Sequence, residues 1–484
     1  MDPTFYRTPA DAIAAPAEQL AYVVGLDPAH EKEDAIFVVD LDRSSSSYGR
    51  VIHSTKVPAG SELHHFGWNA CSSALKHEGH DATNLQRRYL LVPALRSSNI
   101  FVLDTAPNPR RPSLVKAIPA AALASQAGYS RPHTVHCGPS GVFVTCLGSG
   151  GTTTTNDDGG NGPGGIALLD HDSFDVVRAW ETQRGPQHFH YDAWWHLNRN
   201  TLVSSEWGSP AMFEDGLVPE LLLANKYGHA LHFWDLNRGR HVQRIDLGEE
   251  HQMVLEVRPS HDPEATWGFV GVVVSTADLS GSIWRWYLDE EESEEGKRWK
   301  LEKVITIPPQ KVDDASSLPP LLQPFGGAVP PIITDIDLSV DDRYLYVSCW
   351  VTGELKQYDV SDPKHPKETG SVRLGGIFDP AAHPSRPDEP LGGGPQMVEV
   401  SRDGRRIYFT NSLYSSWDDQ FYPKGVGAWM AKADVLPGGG LKVDKDFFLS
   451  DGDFEGLRVH QIRLQGGDAS TDSYCYRSPT RANI

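Results

Sequence analysis

The 484-residue sequence has five cysteines and no CxxC pair (Cys71, Cys137, Cys146, Cys349, Cys475). So sparse and odd a set does not read as the disulfide framework of a small secreted domain. No run of about 18 apolar residues occurs, which excludes a membrane-spanning helix. Positive charge is in deficit, with 44 Lys and Arg against 64 Asp and Glu and a formal net charge of −20. That balance argues against a nucleic acid or an anionic membrane surface as partner, because binding to phosphate is driven by clustered Lys and Arg. Part of the acidity is local, in Asp289-Glu-Glu-Glu-Ser-Glu-Glu295, which reads as a solvated turn. The start, Met1-Asp-Pro-Thr-Phe-Tyr-Arg-Thr-Pro9, has neither the charged and apolar regions of a secretory leader nor an Arg-rich transit pattern. The expectation is a soluble chain in a reducing, cytoplasmic compartment, with the periplasm as the alternative if a leader has been removed.

Helical periodicity is scarce, whereas Gly (45) and Pro (35) are plentiful. Short apolar runs ending in a polar residue recur at Ile36–Asp40, Ile100–Asp104, Ile166–Asp170, Leu231–Asp235, Ile283–Tyr287, Leu355–Asp359 and Met430–Asp434. A second unit, strand, polar turn and strand, recurs closely at Ile336–Ser348 and Val398–Thr410 and more loosely at His133–Thr145, Tyr191–Ser205 and Leu255–Val274. Seven repeats of four strands predict an all-β chain folded as a seven-bladed β-propeller, a single domain over residues 1–484. Two β-sandwich domains are the alternative, but no Pro/Ser linker divides the chain. Inserts are expected at about 76–88 and 148–165, and a loose tail at about 473–484. The Gly-rich insert lacks the Lys and following helix of a phosphate loop.

In a propeller the first strand of each blade lines the channel, so the segments leading into those strands meet at one mouth. The lead-ins are His64-His65, His133-Thr-Val-His136, His188-Phe-His-Tyr-Asp192, Glu256 to His261, Thr334-Asp335, Pro395-Gln396 and His460-Gln461. Histidine heads five of these seven, a pattern that assembles a polyhistidine metal site from separate blades. The competing reading is a wet polar mouth whose histidines only bond water. Strand alternation predicts that one residue of each close pair, His64/His65 and His133/His136, reaches the channel while its neighbour packs or supports it. Trp68, Tyr191, Trp194 and Gln396 are candidate walls of a substrate pocket; packing between blades is the other reading of the tryptophans. Cys137, Cys146 and Cys349 read as buried small hydrophobes, and Cys71, in a Ser-rich turn, as an accessible thiolate.

Five motifs, Glu62-Leu-His-His-Phe-Gly-Trp-Asn-Ala-Cys-Ser-Ser73, His133-Thr-Val-His-Cys137, Gly392-Gly-Gly-Pro-Gln-Met397, Ser412-Leu-Tyr-Ser-Ser-Trp-Asp-Asp-Gln-Phe-Tyr-Pro423 and Gly466-Gly-Asp468, resemble those of the selenium-binding protein family, which includes methanethiol oxidase. The resemblance extends from about Tyr6 to Asp472. It implies a seven-bladed propeller with copper-dependent oxidation of a small thiol by dioxygen. It places the family's selenium-associated cysteine on Cys71, making selenium a further ligand there, and its motif histidines on His64, His65, His133, His136, His261 and His460. The chain departs from the family in having Cys71-Ser-Ser-Ala74 where members often have CSSC.

The expected mechanism has three or four channel histidines holding copper, with Asp335, Glu206 or a neighbouring histidine moving the proton and Cys71 as ligand, sulfur acceptor or structural residue. Rival readings are a non-catalytic propeller that binds selenium or a thiol, or protein partners on its rim, and a related copper oxidase of another small molecule.

Overall fold

The computed structural model describes residues 2–76, 85–138, 140–151, 161–289 and 298–478. Seven four-stranded antiparallel sheets stand as blades around a ring. The seven recurrent runs all fall on the third strand of a blade: Asp34–Asp40, Ile100–Asp104, Gly165–Leu169, Ala230–Asp235, Gly281–Asp289, Glu354–Asp359 and Trp429–Val435. They are conspicuous because blades pack face to face, so a mid-blade strand is covered on both sides and becomes a continuous apolar run. Asp34–Asp40 and Ile100–Asp104 are buried at every position. The outermost strand of the fourth blade, Arg240–Asp246, alternates instead between exposed and half-buried residues.

The inner strands, in ring order from blade 1, are Arg458–Leu464, Gly67–Trp68, Tyr129–Gly138, Ala193–His196, His251–Pro259, Ile333–Leu338 and Val398–Val400. Blade 1 is made from both ends of the chain. Arg458–Leu464 pairs with Leu20–Leu26 in the register Ala21↔Leu464, Val23↔Ile462 and Gly25↔Val459, which closes the ring.

One end of the channel lies beneath an apolar cap. The helices Pro210–Phe213, Pro219–Leu223 and Ser415–Phe421, with residues 315–329, bury Trp207, Phe213, Tyr414, Trp417 and Phe421 in one cluster with Tyr191. Trp417 Nε1 donates to the Phe213 carbonyl (2.9 Å), tying the helices of blades 4 and 7 together.

The C-terminal segment is packed, contrary to the loose tail expected from 473 onwards, as far as it is described. Trp194 Nε1 and Trp195 Nε1 both donate to Ser473 Oγ (2.8 and 2.9 Å), and Tyr474 and Cys475 are buried. Polarity alone misleads here, because Ser473 answers two buried indole donors. The preceding Asp472 accepts from Ser72 N and Oγ (2.8 and 2.6 Å) and from Arg87 Nη2 (2.8 and 3.0 Å). The central parts of both expected inserts, 77–84 and 152–160, lie outside the described residues.

Replacing Asp472 by Ala leaves the buried Arg87 guanidinium without its counter-charge, a defect of about 3–5 kcal/mol. The variant should melt well below the parent in a thermal scan, with Ser473→Ala losing less; an unchanged Tm for Asp472→Ala would show the pair to be dispensable.

Candidate metal centre

His64 and His65 sit in an irregular lead-in before the two-residue strand Gly67–Trp68. The lead-in begins at Glu62, which is held at φ 54° in the left-handed region. Its buried carboxylate accepts from Ser415 N and Oγ (2.9 and 2.8 Å). Regular alternation does not govern such a segment, so both rings face the same group of histidines, stacked 4.9 Å apart. The expectation that only one of the two would reach it is corrected. His133 lies where the Tyr129–Gly138 strand shifts register between Pro132 and Val135, and His460 is the third residue of the ring-closing strand.

Four imidazoles from three blades therefore meet. Ring centroids are 3.6 Å apart for His64 and His460, 4.0 Å for His65 and His133, and 5.0 Å for His64 and His133. One ligand nitrogen from each of His64, His65 and His460 can be chosen so that all three lie within 4.8 Å of one another. The hydrogen bonds assign the tautomers. His64 Nε2 donates to the Leu413 carbonyl (2.8 Å), and His460 Nδ1 to the adjacent Ser412 carbonyl (2.7 Å). This leaves lone pairs on His64 Nδ1 and His460 Nε2. The former accepts from His133 Nε2 (3.1 Å), while His460 Nε2 and His65 Nε2 are buried without a hydrogen-bond partner.

Burial keeps the cluster uncharged. It lowers His64 to about 3 and holds His65, His133 and His460 well below the usual imidazole range, with the neighbouring histidines adding to the effect. Beside His65 Nε2, at 3.8 Å, stands Glu256 Oε1, also without a hydrogen-bond partner. The other Glu256 oxygen accepts from Arg258 Nη1 (3.0 Å), and the same guanidinium faces Asp192 (3.3 Å), Asp335 (3.3 Å) and Asp337 (3.5 Å). Burial, joined by the like charge of Asp192, raises Glu256 well above the carboxylate range. Burial likewise lifts Asp335 to about 7 against the pull of Arg258.

The other expected site residues lie elsewhere or are already engaged. His136 packs at a tilt on Trp194 (4.6 Å) with Nε2 3.6 Å from Asp192, and His261 Nε2 bonds the Leu338 carbonyl (3.0 Å). Neither joins the four-ring cluster, His136 because it is three residues further along an extended strand, roughly 10 Å. Glu206 accepts from His232 Nε2 (2.9 Å), and Asp335 Oδ2 accepts from Val398 N (2.7 Å), so both carboxylates already hold neighbouring strands. Tyr191 is beside the cluster, 4.5 Å from His133. Gln396 is fully buried with neither side-chain polar atom partnered. Trp68 and Trp194 pack away from the cluster, Trp68 against Tyr22 (5.6 Å) and Trp194 against His136.

The thiolate reading of Cys71 is overturned. Cys71 is buried and joined to Cys137 in a disulfide, Cα to Cα 6.0 Å. The bond links the segment after His65 to the strand carrying His133, and it corrects the reading of Cys137 as a plain hydrophobe. A pairing across 66 residues with no spacing motif carries no signature in one sequence. Cys146 and Cys349 are free and buried, as expected. Sequence reasoning missed Glu256 as a site residue; the signal was Glu256-Val-Arg258, two charged residues at alternate positions of a channel-lining strand.

His65 Nδ1 accepts from Gln461 Nε2 (3.4 Å), so the His65 proton sits on Nε2. The lone pairs of His64 Nδ1 and His460 Nε2, with one carboxylate nearby, form the core of a donor set suited to copper, zinc or iron. Among the described residues no other group of three or more His, Cys, Asp or Glu brings its ligand atoms so close. No helix there is long and apolar enough to cross a membrane.

Comparison with known proteins identifies the family. Residues 1–475 match the family described as 56kDa selenium binding protein (SBP56). The chain is 37% identical over 491 residues to a methanethiol oxidase of Xenopus tropicalis, covering 96% of this chain and 97% of the relative. It is 38% identical over 492 residues to the methanethiol oxidase of Homo sapiens, with the same coverage. The X-ray structure of a hypothetical selenium-binding protein from Sulfolobus tokodaii superposes with a TM-score of 0.91 at 49% identity, covering 98% of this chain and all of that one.

The depressed imidazoles fix a sign for pH dependence. The unfolded chain takes up protons near pH 6.5 that the folded cluster refuses, so stability is complete above about 6.5 and is lost as pH falls below it. The raised carboxyls of Glu256 and Asp335 act in the opposite sense over the same range, so the histidine contribution is read by difference. In thermal scans of metal-free protein from pH 7.5 to 5, His64→Gln should lose less Tm, or gain more, than the parent, and equal slopes for both would contradict a buried neutral cluster.

Proposed function

Because the chain belongs to the 56kDa selenium binding protein family, we propose that it is a copper-dependent thiol oxidase, converting methanethiol, dioxygen and water to formaldehyde, hydrogen sulfide and hydrogen peroxide. The observation that carries this reading is the group of uncharged, buried imidazoles from His64, His65 and His460, with lone pairs on His64 Nδ1 and on the unpartnered His460 Nε2. His64 through Nδ1, His460 through Nε2 and His65 would hold the ion, with His133 as a fourth donor once its bond to His64 is released. Copper supplies two things when bound: it favours the thiolate of its substrate, and it passes electrons to dioxygen.

The rest is done by the chain itself. The Ser412 and Leu413 carbonyls orient two of the rings and fix which nitrogen is free, a support that typically changes metal affinity 10- to 100-fold. Tyr191, Trp207 and Tyr414 belong to the apolar cap, which excludes water and suits a substrate whose only carbon is a methyl group. Glu256 Oε1, without a hydrogen-bond partner, is the carboxyl oxygen free to exchange the proton, in place of Asp335 and Glu206. The partners are a small thiol and dioxygen.

Purified protein loaded with copper should hold about one ion per chain and release hydrogen peroxide on addition of methanethiol. His64→Ala and His460→Ala should each lose copper and lower turnover by more than roughly 100-fold, whereas His136→Ala should retain its copper. Normal copper content and turnover in both of the first two variants would remove this site from the reaction.

A further inference from the structure

The two repeat units that match most closely in sequence, Ile336–Ser348 and Val398–Thr410, build the same turn in neighbouring blades. In each, a serine hydroxyl donates to an aspartate two residues on, Ser339 to Asp341 (2.6 Å) and Ser401 to Asp403 (2.7 Å). The same aspartate oxygen accepts from the backbone N–H of an arginine two residues further, Arg343 (3.2 Å) and Arg405 (3.1 Å). The residue between is left-handed in both, Asp342 at φ 57° and Gly404 at φ 67°. A Cβ on Gly404 would stand 3.9 Å from Ser339, so the turns touch and set their arginines beside one cleft. Each turn follows an inner strand, and the cleft therefore opens on the face opposite the lead-ins that carry the histidine cluster.

The cleft, of about 600 Å³, is basic although the chain carries a net charge of −20. Its lining holds Arg43, Arg343, Arg405 and Arg406 against one carboxylate, Asp434. Arg406 is engaged by Glu18 (2.7 and 3.0 Å) and Asp403 (3.2 Å), and Arg43 by Asp444 (2.9 Å). Arg405 is exposed and pairs with no carboxylate among the described residues. Arg343 has only a distant partner, Asp359 at 3.9 Å. Its guanidinium stands 4.9 Å over the Tyr344 ring, while its side chain stays 48% exposed.

The apolar part of the lining is pinned by hydrogen bonds. Leu436 N donates to the Gly440 carbonyl (2.9 Å), Gly439 N to the Leu436 carbonyl (3.0 Å), and Gly440 N to Gln357 Oε1 (2.6 Å). Gly439 has φ 106°, and a Cβ there would come within 2.9 Å of Thr369. The tight turn keeps Leu436 41% exposed beside the exposed Pro437. A fixed apolar step next to two uncommitted guanidinium groups is the composition of an interface, not of an ordinary solvated face.

We propose that this cleft docks an acidic segment of a partner protein, a short run of Asp and Glu around one leucine-sized apolar residue. Its carboxylates meet Arg343 and Arg405, and its apolar side chain lies against Leu436 and Pro437. Free phosphate fits less well, because solvent-exposed guanidinium groups hold a small anion weakly when no apolar contact accompanies it. An anionic bilayer is opposed by the net charge of the chain. Docking at this cleft leaves the capped mouth free, so partner and substrate engage opposite faces.

Fluorescence anisotropy of the full chain with a labelled Asp-Glu-Glu-Leu-Asp-Glu peptide tests the site. Saturable one-to-one binding is expected, weaker by at least about fivefold when salt is raised from about 50 to about 500 mM. Arg343→Gln and Arg405→Gln should each weaken binding about threefold and together about tenfold. Both side chains are on the surface, so the variants should keep the parent Tm. Leu436→Ser, which removes only the apolar step, should weaken binding about fivefold. No binding up to about 1 mM peptide, equal binding of Asn-Gln-Gln-Leu-Asn-Gln, or unchanged affinity in the double arginine variant would overturn the proposal. So would displacement of the peptide by an equal concentration of inorganic phosphate, or stronger retention of the protein on phosphatidylserine than on phosphatidylcholine vesicles.

Discussion

Everything in this molecule depends on the pairing of Arg458–Leu464 with Leu20–Leu26. A propeller whose first blade lacks its inner strand has an open seam and exposed strand edges, so one antiparallel ladder between chain ends more than 430 residues apart decides whether the ring exists. The same strand delivers His460 to His64, with ring centroids 3.6 Å apart. Closure of the fold and completion of the histidine cluster are therefore one event, and a contact so distant in sequence forms late in folding if loop closure sets the order.

Closure has a second effect, on charge. The channel holds Asp192, Glu256, Asp335 and Asp337 around Arg258, and Glu399 and Asp468 around Arg463, all buried. Ionising every carboxylate would leave uncompensated negative charge in a dry interior, so burial raises Glu256, Asp335 and Asp337 and keeps protons on the walls. The histidines respond in the opposite sense and stay neutral, as metal ligands must be. One burial thus yields both a set of lone pairs and a neighbouring store of protons.

How much of this was legible in the sequence follows from what each strand touches. The mid-blade strands stood out because two-sided burial writes an uninterrupted apolar run, as in Ile36-Phe-Val-Val-Asp40, and counting such runs gives the number of blades. His64, His65, His133 and His460 were legible as a group because inner-strand lead-ins converge in any propeller. His136 and His261 shared that logic and failed it, since position along an inner strand, not membership of it, decides which residues meet. Cys71 and Cys137 could not be paired from spacing, and the orienting carbonyls of Ser412 and Leu413 are backbone groups with no side-chain trace. Trp68, offered as a pocket wall, packs against Tyr22 away from the cluster, for the same reason as His136.

The central claim is that His64, His65 and His460, with His133, form a nitrogen-rich copper centre closed by the C-terminal strand. Electron paramagnetic resonance of the protein loaded with one equivalent of Cu(II) tests it most directly. A single bound species with hyperfine structure from three or more imidazole nitrogens is expected, replaced in His460→Ala by a spectrum with fewer nitrogens or by unbound copper. A spectrum dominated by oxygen or sulfur ligands, or one that is identical in that variant, would contradict it.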